Sequence, residues 1–204
     1  MRINKRAQAG FTLVEIAIVL IIIGLLVGGV LKGQALIDTA RLKRVGTDFS
    51  GIATAINSYR DRYMALPGDD SRASRWSAVG KEKKGDNNGE IDDNWKTGAG
   101  ESQFAWLHMR NAKLINGGES DESRPNNSLA GVMGMETKRF QSGVEICMSN
   151  IRDDLAAEFD ALFDDGDPTT GDIRANDDAT QEAGDVKAYA DEDETNICRS
   201  LDAF

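Results

Sequence analysis

Gly10-Phe11-Thr12-Leu13-Val14-Glu15-Ile16-Ala17-Ile18-Val19-Leu20-Ile21-Ile22-Ile23-Gly24 follows a short basic leader and opens a long apolar run. From Phe11 to Leu31, 21 residues hold one charge, Glu15. At about 1.5 Å per residue they make a helix of about 31 Å, the thickness of a bilayer's hydrocarbon core. Arg2, Lys5 and Arg6 precede the run and favour a cytoplasmic N-terminus, which sends the rest of the chain outward. A cleaved secretory signal fits less well. The run is long for one, and the nearest approach to a small-x-small site is Val27-Gly28-Gly29. A retained membrane helix over residues 11–31 is the expectation.

A carboxylate deep in lipid costs about 2.5 kcal/mol or more, and by default it has a partner. Near the helix start, Glu15 could simply snorkel to the interface. A cut after Gly10 gives it more to do. The cut creates an α-amine on Phe11, with a pKa of about 7.7–8, which could neutralise Glu15 of a neighbouring subunit.

Gly10, Phe11 and Glu15 after a short basic leader, followed by unbroken apolar sequence, resemble the cleavage and methylation motif of type IV prepilins and the related pseudopilins. The resemblance implies that a prepilin peptidase cuts between Gly10 and Phe11 and N-methylates Phe11. It also implies that Glu15 serves subunit docking. Many pilins carry a Pro where this chain has Lys32. Gly24-x-x-x-Gly28 and Gly29-x-x-x-Gly33 in the same segment suit close helix–helix approach.

Beyond Lys32 the pattern turns amphipathic. Leu42, Val45, Phe49, Ile52, Ile56, Tyr59 and Tyr63 recur at spacings of 3 and 4, an apolar helical stripe. One helix over residues 11–64 is expected, its part from 33 to 64 serving as the spine of a core. A coiled coil is the competing reading. Pro67 and Gly68-Asp69-Asp70 end the helix. Residues 1–10 then form the leader, 11–32 the membrane or filament-core helix, 33–64 its amphipathic continuation and 65–204 the head.

In the head, residues 103–115 read as a helix closed by Asn116-Gly117-Gly118, and residues 150–163 as another capped by Asn150. Residues 129–137, 139–149, 185–190 and 195–201 read as strands. The fold class is α+β: a long N-terminal helix packed on a small antiparallel sheet, an arrangement that also resembles pilins. The head is acidic. The whole chain carries −10, and the part after the leader −13, which argues against nucleic acid as its main partner. If the head is exported, Cys147 and Cys198 have one disulfide as their simplest use, closing a loop worth about 4 kcal/mol. Pilins often bracket the C-terminal region with such a bond.

Two acidic loops offer hard oxygen donors for Ca²⁺. In the first, Asp86, Asn88, Glu90 and Asp92 surround Gly89. It is not an EF-hand, since Lys84 and Trp95 fall where that loop needs acids. Asp164, Asp165, Asp167 and Asp172 form the second; a solvated acidic loop is the plainer reading of both. No other cofactor is implied. Nothing singles out a catalytic set: His108 has no nucleophile motif beside it, and no phosphate-cradling loop follows a strand.

The sequence thus reads as a non-enzymatic prepilin. Its expected partners are other pilin subunits, prepilin peptidase and inner-membrane assembly machinery. It is expected in the inner membrane with its head in the periplasm, then in an extracellular pilus. A pseudopilin of a type II secretion system shares the N-terminus and stands as the alternative, and a singly anchored periplasmic binding protein is a third reading.

Overall fold

A computed structural model describes residues 11–176, 188–189 and 194–203. The chain divides into two compact units, residues 1–40 and 41–204, and the division falls within the first helix. Helix α1 runs Leu13–Tyr63, unbroken through both. Its first part is apolar and exposed all round, long enough to cross a membrane.

In the second unit the expected stripe becomes a core. Leu42, Val45, Phe49, Ile52, Ile56 and Tyr59 are buried, and Tyr63 packs at the margin. Met64 ends α1 in the left-handed region at φ 55°, donating its N–H to the Arg60 carbonyl, three residues before Pro67. Burial against a sheet rather than a second helix of the same kind decides against the coiled coil.

That sheet has four antiparallel strands: β1 (Met133–Thr137), β2 (Val144–Arg152), β3 (Ile173–Asn176) and β4 (Glu194–Ser200), in the order β1-β2-β4-β3. Alternation sorts its faces. Met133, Met135, Ile146, Met148, Ile173, Ala175 and Ile197 join the core built on α1. The opposite face carries Gly134, Glu136, Glu145, Cys147 and Cys198. Trp95 and Phe140 cover the Cys147–Cys198 disulfide there, which joins directly opposed residues of β2 and β4.

Both outer edges of the sheet are occupied. On β1, Met133 and Thr137 donate N–H groups to the Pro125 and Ile91 carbonyls, and the Met135 carbonyl accepts the Ser102 hydroxyl. On β3, Ile173 donates to the Asp164 carboxylate and Ala175 to the Pro168 carbonyl.

Helix α2 (Gly100–Asn111) starts and stops earlier than expected. Lys113, left-handed at φ 60°, closes it well before Asn116-Gly117-Gly118. The Lys113 and Leu114 N–H groups return to Arg110 and Met109, a Schellman closure made without glycine. Helix α3 (Asp153–Phe163) corrects the expectation at Asn150. Asn150 sits inside β2 at φ 64°, in a register shift where Met148 pairs with Ile197 and Ile151 with Thr195. The ladder with β4 claims residues through Arg152, so the helix begins after it. Asp153 and Asp154 suit its first turn electrostatically, with no side-chain cap. Strand β1 starts later than expected because residues 127–131 turn, with the Asn127 N–H donating to the Gly131 carbonyl, and β2 starts later because residues 138–143 turn, with the Lys138 N–H donating to the Gly143 carbonyl. The strand expected over 185–190 lies outside the described residues, except that Ala188 and Tyr189 adopt no regular structure.

Gly134 shows how closely the covering segment packs on the sheet. A Cβ placed there would stand 2.6 Å from Trp95 Cε3 and 2.7 Å from its Cβ. Gly134→Ala should destabilise the chain by about 1–3 kcal/mol, read from the denaturant midpoint, with the disulfide intact.

Candidate functional site

Phe11, just ahead of α1, and Leu13, Leu20, Leu25 and Leu31 on its N-terminal part face their surroundings, Phe11 at 85% exposure. At Gly24, Gly28, Gly29 and Gly33 an added Cβ would meet nothing within 4 Å. No approach among the described residues accounts for these glycines. Gly10 lies outside the described residues.

Glu15 is engaged with its own helix. Its Oε2 accepts the Thr12 N–H and the Thr12 hydroxyl, each at 2.8 Å, and Thr12 Oγ1 accepts the Glu15 N–H at 3.2 Å. This reciprocal pair is a capping box, with Thr12 at the cap and Glu15 three residues on. The four orphan N–H groups of a helix start explain why such a device belongs here. Thr-x-x-Glu ahead of an apolar run is legible in the sequence, so Thr12 is a residue that composition and charge alone pass over.

The first acidic loop divides its expected residues. Asn88 donates its side-chain amide to Asp86 (3.3 Å) and to Asp92 (3.2 Å), bringing these three together. Glu90 instead pairs with Lys138. Two carboxylates from elsewhere join them. Asp69 accepts the N–H groups of Asn88 and Gly89, and Glu101, from the first turn of α2, accepts those of Asp86 and Asp92. Asp69, Asp86 and Glu101 bring carboxylate oxygens within 4.8 Å of one another. Burial raises Asp69 and Glu101 above the ordinary carboxylate range against the pull of their N–H donors. In the second loop, Asp160 joins Asp164 and Asp165, while Asp167 caps the following turn through Thr169 and Asp172 stays exposed.

Residues 5–31 match the family model of the prokaryotic N-terminal methylation motif. The chain is type IV prepilin-like. The motif implies processing by prepilin peptidase and a membrane-anchored precursor that assembles with other pilin-type subunits; pilins and pseudopilins share it. No curated protein and no solved structure matches the chain.

In this prepilin-like chain His108 is part of the framework. Gly68 donates its N–H to His108 Nδ1 at 3.0 Å, and Nε2 lies 2.8 Å from the Lys83 carbonyl, which sets the neutral tautomer with Nε2 protonated. The ring is fully buried, and burial pulls its pKa down to about 4. The unfolded chain therefore binds a proton there first, so stability is whole above about pH 6.5 and falls between about 6.5 and 4. The His108 contribution, read by chemical denaturation as the difference between wild type and a His108 variant, should fall with acid across that window. His108→Gln should remove that contribution, up to about 1.4 kcal/mol per pH unit.

Proposed function

We propose that this chain is a subunit of a type IV pilus, cut after Gly10, N-methylated on Phe11 and assembled through α1. The observation that carries this reading is the N-terminal part of α1: large apolar side chains exposed all round, four unoccupied glycine positions, and one carboxylate three residues behind a capping threonine. Such a surface needs lipid before assembly and other helices afterwards. In lipid there is little hydrophobic gain in joining helices, so close contact at Gly24, Gly28, Gly29 and Gly33 supplies the packing.

The Glu15 carboxylate then has two successive partners. In the precursor Oε2 caps its own helix through Thr12. After the cut, the new Phe11 amine of an adjacent subunit gives it an opposite charge. Pairing two charges in an apolar core offsets the desolvation of both, and leaving either alone is strongly unfavourable. Register along the fibre follows, because the pair forms only where one subunit's Phe11 lies level with another's Glu15.

The second unit would lie in the periplasm and later outside the cell, where a disulfide persists. A head of this size with the Cys147–Cys198 bond near its C-terminus favours a pilus over a secretion pseudopilus. The acidic loops remain the candidate places for Ca²⁺ on that head.

Glu15→Val should leave membrane-anchored, processed protein and lower its incorporation into sheared surface fibres at least tenfold, corresponding to about 1.4 kcal/mol or more of lost pairing. Normal fibres from this variant would overturn the pairing. Mass spectrometry of purified fibres should find chains beginning with methylated Phe11; an intact Met1 in the mature protein would favour a simple anchored protein.

A further inference from the structure

Two glutamates stand side by side on the covered face of the β1–β2 hairpin. Glu136 of β1 and Glu145 of β2 are direct cross-strand partners, 6% and 1% exposed. Opposed side chains on one face of an antiparallel pair lie within contact range, and like charges there repel. Both side chains are buried, so solvent does little to relieve this.

The groups facing the pair come from four segments. From β1, Glu136 accepts Arg139 Nη1 on Oε1 at 3.1 Å and the Trp95 N–H on Oε2 at 2.9 Å. From the turn over residues 138–143, the Phe140 N–H donates to Glu145 Oε2 at 2.9 Å, with the Arg139 and Gln141 N–H groups also directed at that carboxylate. From β4, Ser200 lies opposite Glu145. From the segment covering the sheet, Trp95 supplies the contact among the described residues. Lys138, the turn's second cation, is engaged with Glu90, and the Asp202 carboxylate lies near Gly143. Glu145 Oε1 is buried with no hydrogen-bond partner among the described residues. The Arg139 guanidinium pairs with Glu136, and Glu145 stands beside that carboxylate with its own Oε1 unpartnered. A proton held on Oε1 removes the like-charge repulsion between the two glutamates.

Burial, reinforced by the neighbouring Glu136 charge, pushes Glu145 up to about 6, against the pull of the turn's N–H groups. Burial also raises Glu136. A carboxyl whose folded pKa lies above its unfolded value stabilises the fold most at low pH, and the contribution is lost as pH rises through about 6. The same turn carries Phe140, which with Trp95 packs over the Cys147–Cys198 bond.

We propose that the Glu136–Glu145 pair is a one-proton latch on the β1–β2 turn. With the proton in place, the turn holds Phe140 over the disulfide. With both glutamates ionised, the turn loosens and the bond becomes accessible to reductant. The latch belongs to the second unit and stands independently of whether the chain enters a pilus or a pseudopilus.

The test is the rate at which a water-soluble phosphine reduces Cys147–Cys198 in the full chain in detergent micelles. Each rate is divided by that of the guanidinium-unfolded chain at the same pH, which removes the reagent's own titration. Between about pH 5 and 7.5 the normalised wild-type rate should climb about tenfold, the order expected for loss of one shifted proton. Glu145→Gln should flatten the climb to within about twofold, and Glu136→Gln, which leaves one carboxylate facing Arg139, should do the same. His108 titrates with the opposite sign, so the decisive quantity is the difference between wild type and variants. A wild-type pH dependence no steeper than that of both variants would overturn the latch. If Glu145→Gln fails to fold, Glu136→Gln decides alone.

Discussion

The Asp70 carboxylate ties the C-terminal end of α1 to the segment that follows it. Its Oδ2 accepts the Tyr59 hydroxyl at 2.8 Å and an Arg75 nitrogen at 2.8 Å, and its Oδ1 accepts the Arg72 N–H and Arg75 Nη2. Arg75 in turn lies over the rings of Tyr63 and Trp76. Burial works against the charge, but Arg75 and Tyr59 outweigh it and hold Asp70 below the ordinary carboxylate range. One residue earlier, Asp69 gathers the N–H groups of the long polar loop. A loop-rich segment with few apolar residues is thereby ordered by polar groups rather than by a large core. An unpaired polar group buried in such a place would cost about 1–3 kcal/mol, so each acceptor is placed where donors would otherwise be stranded.

The same stretch shows where sequence reasoning succeeds and where it stops. The apolar run and the 3–4 stripe reveal α1 from its apolar first part to Tyr63, because one long period needs no tertiary information. Pro67 and Gly68 announce a turn, but only the fold explains the glycine. At φ 95°, with the Glu101 carbonyl 2.5 Å from where a Cβ would stand, no other residue fits. Asn150 carries an acceptable capping pattern, yet pairing with β4 overrides it, and a ladder between residues some 45 apart leaves no local trace. The acidic loop was legible as a cluster. That Asp69 and Glu101 would join it, and that Glu90 would leave it for Lys138, depends on contacts between distant segments.

At the N-terminus the legible and the hidden are reversed. Glu15 announces itself as the one charge in an apolar run, and the eye moves at once to a distant partner. The nearer partner, Thr12, is uncharged and three residues away, and it satisfies the helix start before any other subunit is present. The acid therefore has a role in the single chain as well as the one proposed in the fibre. That dual use removes the puzzle of how an isolated precursor tolerates it.

The occupied edges of the sheet carry a consequence for any fibre this head decorates. Stacked heads meet at very high local concentration, a condition under which open strand edges recruit one another into cross-β assemblies. Here Ile91 and Pro125 close one side, and Asp164 and Pro168 close the other. Strand addition at these edges is blocked, so contacts between heads in any such fibre would be made by side chains and not by a shared backbone ladder. Crowding then remains reversible: subunits that share no backbone ladder can be withdrawn one at a time.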